Sequence, residues 1–463
     1  MIALVFLLPV LSGVLLVHLL WPDRSLSALA LKFFLGIGTG LGINSLLYFV
    51  YLRVFAGQHW FIYVQLASLI LLIGLNTWRE RQIELPWPTL SWSAHLPGVT
   101  KVLLTAAAAV FLISLLSTAS YILRRRQGDW DAWMMFNRAA RFIYRAQSNW
   151  LDSFSPRIDP IFHADYPLLL AMNIASGWDT LGSETPHVPM AQSALFAVGC
   201  AGLFVSALAL TRSPGQAALG MIVFWGTPAV VNEGARELAD LPLAYFVLAT
   251  MVLIQLYMLR GRPALLVLAG LAAGLAAWTK NEGSVFVIAA AMGLTAAYLR
   301  REPLRPLGWY ALGVGLPLAI VLYFKLVLAP RSDVLSNSPV HAAAQALDPA
   351  RHIEILRFFG EQFLYFGGWS ILGVPVGIVL VLLVYLLLAR QPAEPRQRPL
   401  LVAGIVLLAV QALGYYAVYV ITPYDLTWHL TYSVSRIFLQ IFPLVALVVL
   451  NLTRTPEAIF ERD

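Results

Sequence analysis

Ala264-Leu265-Leu266-Val267-Leu268-Ala269-Gly270-Leu271-Ala272-Ala273-Gly274-Leu275-Ala276-Ala277-Trp278-Thr279 runs sixteen residues without a charge. Lys280-Asn281-Glu282-Gly283 then interrupts it before a second uncharged run, 284–299, begins. Apolar runs of roughly this length suit helices through about 30 Å of hydrocarbon, and a short polar turn between two of them suits a membrane surface. Further runs of the same kind fall at 2–21, 29–55, 61–78, 102–123, 189–211, 217–232, 241–259, 307–328, 371–389, 400–421 and 437–452. With 264–279 and 284–299 they make thirteen expected spans in an all-α polytopic membrane protein. The composition agrees. Of 463 residues 59% are hydrophobic and only 12% charged, against about 25% charged in a soluble domain, and the mean hydropathy is +0.75. The first run lacks a basic leader and a small-residue cleavage site, so it reads as a retained helix.

Charge orients these spans. Loops on one side hold 16 basic and 8 acidic residues, and those on the other hold 15 and 16. The basic side includes Arg79, Arg81, Lys101, Arg212, Arg260, Arg262, Arg300, Arg301, Arg305, Arg390, Arg396 and Arg398, and the positive-inside rule makes it cytoplasmic. The N-terminus then lies outside. Arg124-Arg125-Arg126 ends the fourth span on the outer side and opposes this orientation. It opens a long loop, 124–188, and long loops weigh little in the rule. The sequence pI of about 9.5 does not signal a nucleic-acid partner, because the cations are scattered over loop ends and form no dense patch. The one cysteine, Cys200, sits in an apolar run and excludes an internal disulfide.

The acidic and histidine motifs fall on the outer side, where carboxylates beside hydrocarbon imply a use. Four divisions follow: three N-terminal spans over 1–100, a core over 101–330 with its outer loop, an outer segment 331–370 covering the site, and C-terminal spans over 371–463. Within the first loop, Asp131 to Ala146 interleaves aromatics with Arg138, Arg141 and Arg145, which predicts a helix lying in the interface. Tyr166 to Trp178 predicts a second, opened by Pro167. In the segment 329–370, the stretch Pro330 to Pro339 is turn-rich and Pro349 to Phe366 is helical in pattern.

Several residues in these motifs suit chemistry. Asp129 and Asp131 share a face if extended and splay on a helix start. Asp129 suits an N-cap equally well. Asp131, between tryptophans, suits a general base whose affinity for a proton rises on partial desolvation. His163 and Asp165, before Tyr166-Pro167, suit substrate hydroxyl contacts or pinning of the loop. Two ligands are an incomplete set for a divalent cation, so a metal requirement stays open. Glu233, Arg236, Glu237 and Asp240 have the spacing of intrahelical ion pairs. Lys280 suits either snorkelling to the interface or an anionic phosphate, with Glu282 beside it. Asp425 and His429 are four apart, among Tyr424, Trp428 and Tyr432. Arg436, read at the very start of a span, suits a lipid phosphate held by two parallel hydrogen bonds.

Taken together, these motifs resemble the GT-C superfamily of membrane glycosyltransferases, which use polyprenyl-phosphate sugars and include protein O-mannosyltransferases and lipid A aminoarabinose transferases. The resemblance covers roughly residues 100–300: a span, an outer loop opening with Asp129-Trp130-Asp131, two interfacial helices, then close-packed spans carrying Ala239-Asp240-Leu241-Pro242-Leu243-Ala244 and Thr279-Lys280-Asn281-Glu282-Gly283. It implies that an aspartate of the first loop is the catalytic base. Asp131 is preferred to Asp129. Lys280, Arg436 and Arg138 are then the lipid-phosphate clamps, and His163, Asp165, Tyr166, Glu233, Asp240, Glu282, Asp425 and His429 contact the substrates. The chain departs from the family's pattern in its three preceding spans and in ending about ten residues after the last span. The latter favours a glycan or lipid acceptor over a protein. The expected location is a bacterial inner membrane with the site facing the periplasm. Two other readings are a transporter or lipid flippase and a ligase using a polyprenyl-diphosphate glycan. Transporters place charges near the midplane in broken helices and inverted repeats, whereas these charges sit at predicted span ends. Donor preference separates the ligase.

Overall fold

A computed structural model describes residues 2–82, 96–299, 304–332, 337–391 and 398–460. Arg300, Arg301 and Arg396 of the basic loops, and part of the turn-rich 330–339 stretch, lie outside them. The first half of the chain forms α1 (Ile2–Leu20), α2 (Leu26–Phe55), α3 (Phe61–Glu80), α4 (Gly98–Arg124), α5 (Asn137–Ala146), α6 (Leu169–Leu181), α7 (His187–Thr211), α8 (Pro214–Trp225) and α9 (Pro228–Gly234). The second half forms α10 (Asp240–Arg260), α11 (Pro263–Thr279), α12 (Asn281–Ala297), α13 (Leu304–Tyr323), α14 (Pro339–Ala346), α15 (Pro349–Tyr365), α16 (Ile378–Ala389), α17 (Arg398–Ile421), α18 (Leu426–Leu452) and α19 (Pro456–Phe460). Between α15 and α16 stands an antiparallel hairpin of β1 (Trp369–Ile371) and β2 (Val374–Val376). Among the described residues nine helices are long and apolar enough to cross a membrane: α1 to α4, α7, α10, α13 with its extension to Leu328, α17 and α18. The other four expected spans fall on the shorter α8–α9, α11, α12 and α16.

The apolar run that opens the sequence reading forms α11, buried among α10, α12 and α13. Backbones touch there because side chains are missing: a Cβ on Gly270 would collide with the Tyr310 carbonyl, and one on Gly313 with that of Val267. Such small-residue contacts replace the hydrophobic drive that lipid does not supply. Trp278 donates to Ser45 Oγ at 2.8 Å and fixes the end of α11 against α2.

Several expectations change. The run 217–232 is two helices: α8 ends at Trp225, and Pro228, which lacks an N–H, opens α9 after the Gly226-Thr227 link. The run 371–389 is helical only from Ile378. Before it α15 packs along α18, with Phe359 at 5.8 Å from Phe438 and, just past its end, Phe366 at 5.5 Å from Phe442. Thus α15 and α16 form one interrupted path beside α18. Their break meets the α8–α9 break: Trp369 Nε1 donates to Thr227 Oγ1 at 3.1 Å, and Ala229 N donates to the Gly367 carbonyl at 3.0 Å.

The last helix begins at Leu426 rather than 437, capped by Asp425, whose carboxylate accepts from Trp428 N at 2.8 Å. Arg436 therefore stands well inside a helix. Finally, 131–146 does form a π-helical turn (Ala132–Phe136) and α5, but Trp133 and Phe142 face outward while Ala132, Met135, Phe136, Ala140 and Ile143 are buried. The second expected interfacial helix, α6, starts two residues after Pro167 and is buried over Leu169–Asp179 between other helices, so it does not lie on a surface.

The helix order sorts charged residues to two ends. Asp240, Lys280 and the first loop share one end. At the other, Arg260 meets Asp23 and Arg24 meets Glu80, and Arg212 Nη2 donates to the Thr453 carbonyl at 2.6 Å.

Candidate functional site

Asp240 is the centre of the first end. It occupies the first turn of α10 and is wholly enclosed. Its Oδ1 accepts from Lys280 Nζ at 2.9 Å and Gln440 Nε2 at 2.6 Å. Its Oδ2 accepts from Arg436 Nε and Nη2, both at 2.8 Å. Both guanidinium nitrogens converge on this one oxygen, because the other oxygen is taken by Lys280 and Gln440. Arg436 then extends Nη1 to Asp131 Oδ2 at 2.5 Å. On the far side, Lys280 meets Glu282 Oε1 at 3.0 Å. Gln440 is held in turn by Tyr415, whose hydroxyl donates to Gln440 Oε1 at 2.7 Å. A continuous chain thus runs Asp131–Arg436–Asp240–Lys280–Glu282, built from the first loop, α18, α10 and the α11–α12 turn. Three carboxylates face two cations. Beside the chain, Glu282 Oε2 and Asn281 Oδ1 are buried acceptors without a hydrogen-bond donor among the described residues, a state that a hydroxyl-rich ligand relieves.

The two first-loop aspartates splay. Asp131 makes no side-chain cap and points to Arg436. Asp129 accepts from Arg236 Nε at 2.6 Å and Nη2 at 2.5 Å, and Arg236 also pairs with Glu233 three residues before it. Burial opposes the charge on Asp129, but Arg236 prevails and holds its carboxyl below the ordinary value. Burial has the upper hand at Glu233, whose carboxyl is raised. The ion pair expected from the 233–236 spacing therefore forms, and Arg236 carries it on to the first loop.

A third group lies next to Asn281. Asp165 Oδ2 accepts from Asn281 Nδ2 at 3.2 Å and lies 3.3 Å from Lys325 Nζ, which also donates to the Asp165 carbonyl. His163 takes a left-handed conformation (φ 45°), so the segment is not extended there. Its ring packs 4.8 Å from that of Tyr166. The Asp165 carboxylate is thus occupied by Lys325 and Asn281. Among the described residues no group of three or more His, Cys, Asp or Glu side chains could hold a metal ion.

Three expected members stand apart. Arg138 spends its guanidinium on the Met134 carbonyl at 2.8 Å and the Phe162 carbonyl at 3.2 Å, stacked over Phe142 and Phe162. In this structure it ties the first loop together. Asp425 caps α18, and His429 lies 3.0 Å from Thr422 Oγ1. Seven residues of helix, about 10 Å of axial rise, separate His429 from Arg436. Conversely, Lys325, Gln440 and Arg236's bridge to Asp129 escaped the sequence reading. Lys325 follows the apolar run of α13 and reads as one more interfacial cation, and Gln440 is a lone amide in an apolar helix. A hint was present in each, since polar groups in such runs usually have a partner.

Comparison with family models, with curated proteins and with solved structures yields no match.

Proposed function

We propose that this protein is a GT-C-like glycosyltransferase of thirteen crossings, two of them broken. In this reading it moves a sugar from a polyprenyl-phosphate donor to a glycan or lipid hydroxyl at the outer face of a bacterial inner membrane. One observation carries the reading: Asp131 and Lys280, far apart in sequence, are joined through Arg436 and Asp240 at one end of an apolar bundle. A base and two phosphate-binding cations are what such a transfer requires. The donor has a good leaving group, so the enzyme must deprotonate the acceptor and stabilise charge gathering on the departing phosphate.

The pairing of Asp131 with Arg436 adds a step. A donor phosphate competes with Asp131 for Arg436, and its arrival frees the carboxylate. The acceptor hydroxyl oxygen then attacks the anomeric carbon as its proton passes to Asp131. The bond from the anomeric carbon to the phosphate oxygen breaks, and its electron pair stays on the phosphate, held by Arg436 and Lys280. Attack opposite the leaving group inverts the anomeric centre. Glu282 and Asn281 supply acceptors for sugar hydroxyls. The test is mass spectrometry of lipids and glycans from cells with and without the gene. Loss of one glycan or lipid modification with build-up of its polyprenyl-phosphate sugar is expected. Identical profiles overturn the reading, and build-up of a diphosphate-linked glycan marks a ligase instead.

A second reading is a transporter or lipid flippase. It is favoured by the meeting of two helix breaks at Thr227–Pro228 and 366–377, since transporters build their sites on discontinuous helices. Uptake into proteoliposomes with no sugar transfer selects it.

A further inference from the structure

Glu237 is a buried acid that the site chemistry above does not use. It lies between α9 and α10 with φ 60°, a left-handed conformation that side chains other than glycine seldom adopt unless their surroundings enforce it. The first loop rests on it. Asn137 Nδ2 donates both to Glu237 Oε2 at 3.3 Å and to the Gln127 carbonyl at 3.2 Å. Asp129 N donates to the Arg236 carbonyl at 3.0 Å. Gly128, with φ 70°, lies so close that a Cβ there would come within 2.8 Å of the Glu237 Cβ and 2.6 Å of the Arg236 carbonyl oxygen.

Among the described residues the other carboxyl oxygen, Oε1, has no hydrogen-bond partner, and neither has Gln192 Oε1. Both residues line one small cavity with Leu170, Ile174, Phe196 and Pro242. Two acceptors at one cavity disfavour an ionised Glu237, whereas a protonated carboxyl has an O–H to donate. Among the described residues the nearby cations are engaged elsewhere. Arg236 is turned to Asp129 and Glu233. Arg141 on α5 is engaged by Gln127 Oε1 at 2.6 Å and lies 3.6 Å from Glu184. Gln192 and Ser193 of α7 are uncharged. Among the described residues Glu237 makes no ion pair. Burial pushes its carboxyl up to about 8, against the Asn137 hydrogen bond and the influence of Arg141.

We propose that Glu237 is a positioning residue for the loop that carries Asp131: neutral, it seats residues 127–129 through Asn137, and its ionisation unseats them. The effect on sugar transfer rests on the glycosyltransferase reading, but the seating does not. The sign follows from linkage. The seated loop keeps the acid neutral where a released glutamate, with its ordinary value of 4.5, ionises. Seating is fully favoured below about 4.5, weakens by up to about ten-fold per pH unit, and levels off above about 8.

The test labels Ala132→Cys, a wholly buried position of this loop, with a maleimide in the full chain carrying Cys200→Ala. Rates are divided by those of Val340→Cys, an exposed position on α14, to remove the intrinsic titration of the thiol. The ratio is expected to rise at least about ten-fold between pH 5.5 and 7.5, and to stay flat when Glu237→Gln is added. A flat ratio in the parent, or an unchanged slope in the glutamine variant, overturns the proposal. Amide exchange over 127–132 in the unsubstituted protein, corrected for its intrinsic pH dependence, must rise over the same interval. Constant protection overturns the proposal even if the glutamine variant does not fold. Neither readout uses a donor or acceptor, so failure here leaves the transferase reading standing, and absence of transferase activity leaves these outcomes unchanged.

Discussion

The two ends of the bundle both carry ion pairs, yet they hold them in opposite ways. At one end Arg260 meets Asp23 at 3.0 Å and Arg24 meets Glu80 at 3.2 Å, and in each pair one side chain is more than two-fifths exposed. Water can replace either partner. At the other end Asp240 is wholly enclosed and serves Lys280, Arg436 and Gln440 at once. Water has little access there, so removing Asp240 takes from both cations the one countercharge that is fully buried with them. Such a cluster is weak evidence for stability, because desolvation opposes its formation. In the proposed reading a ligand of like charge takes the place of one member, and Asp131, the most exposed of the three carboxylates, is the one that yields.

Substitutions can break or sharpen that contrast. The largest effect is expected for Asp131→Asn on turnover, a fall of about 10²–10⁴-fold in sugar transfer without loss of the fold; normal turnover removes Asp131 as the base. Next is Asp240→Ala, which removes the buried carboxylate that Arg436 and Lys280 share and leaves each with a less buried partner, Asp131 or Glu282; it is expected to destabilise by about 3–5 kcal/mol, read by thermal unfolding of the purified protein. A loss below about 1 kcal/mol would put this end on the same footing as the other. Lys325→Met takes the ammonium from the Asp165 carboxylate and is expected to remove about 1–3 kcal/mol, since Lys325 is partly exposed. The smallest effect belongs to the opposite end. Arg260→Ala is expected to change stability by less than about 1 kcal/mol and leave transfer intact, and a larger loss there contradicts the comparison.

Much of this contrast was legible in the sequence, and the reasons are particular. Asp131, Asp240, Lys280 and Arg436 stand out because a charge beside an apolar run is conspicuous, and the span lengths place three of them at one surface. The partners were not legible. Nothing local pairs Arg436 with Asp240, 196 residues away, and Lys325 looks like any snorkelling cation. The helix starts misled where polar residues continue a helix outward: Asp425 to Ser435 has helical spacing but reads as a segment before the span at 437, yet it is the capped first part of α18. The breaks misled in the other direction, because 217–232 is apolar throughout and only Gly226 and Pro228 mark the interruption. Burial of α6 was hidden as well. A helix enclosed on all sides shows no polar face, and its periodicity carries no direction.

The most direct test of the central claim is binding of a polyprenyl monophosphate to the full chain in lipid nanodiscs, compared among the unsubstituted protein, Asp131→Asn and Arg436→Ala. If phosphate replaces Asp131 on Arg436, the asparagine variant binds as tightly as the parent or more tightly, and the alanine variant binds at least about ten-fold more weakly. Equal weakening in both variants, or undiminished binding without Arg436, contradicts it.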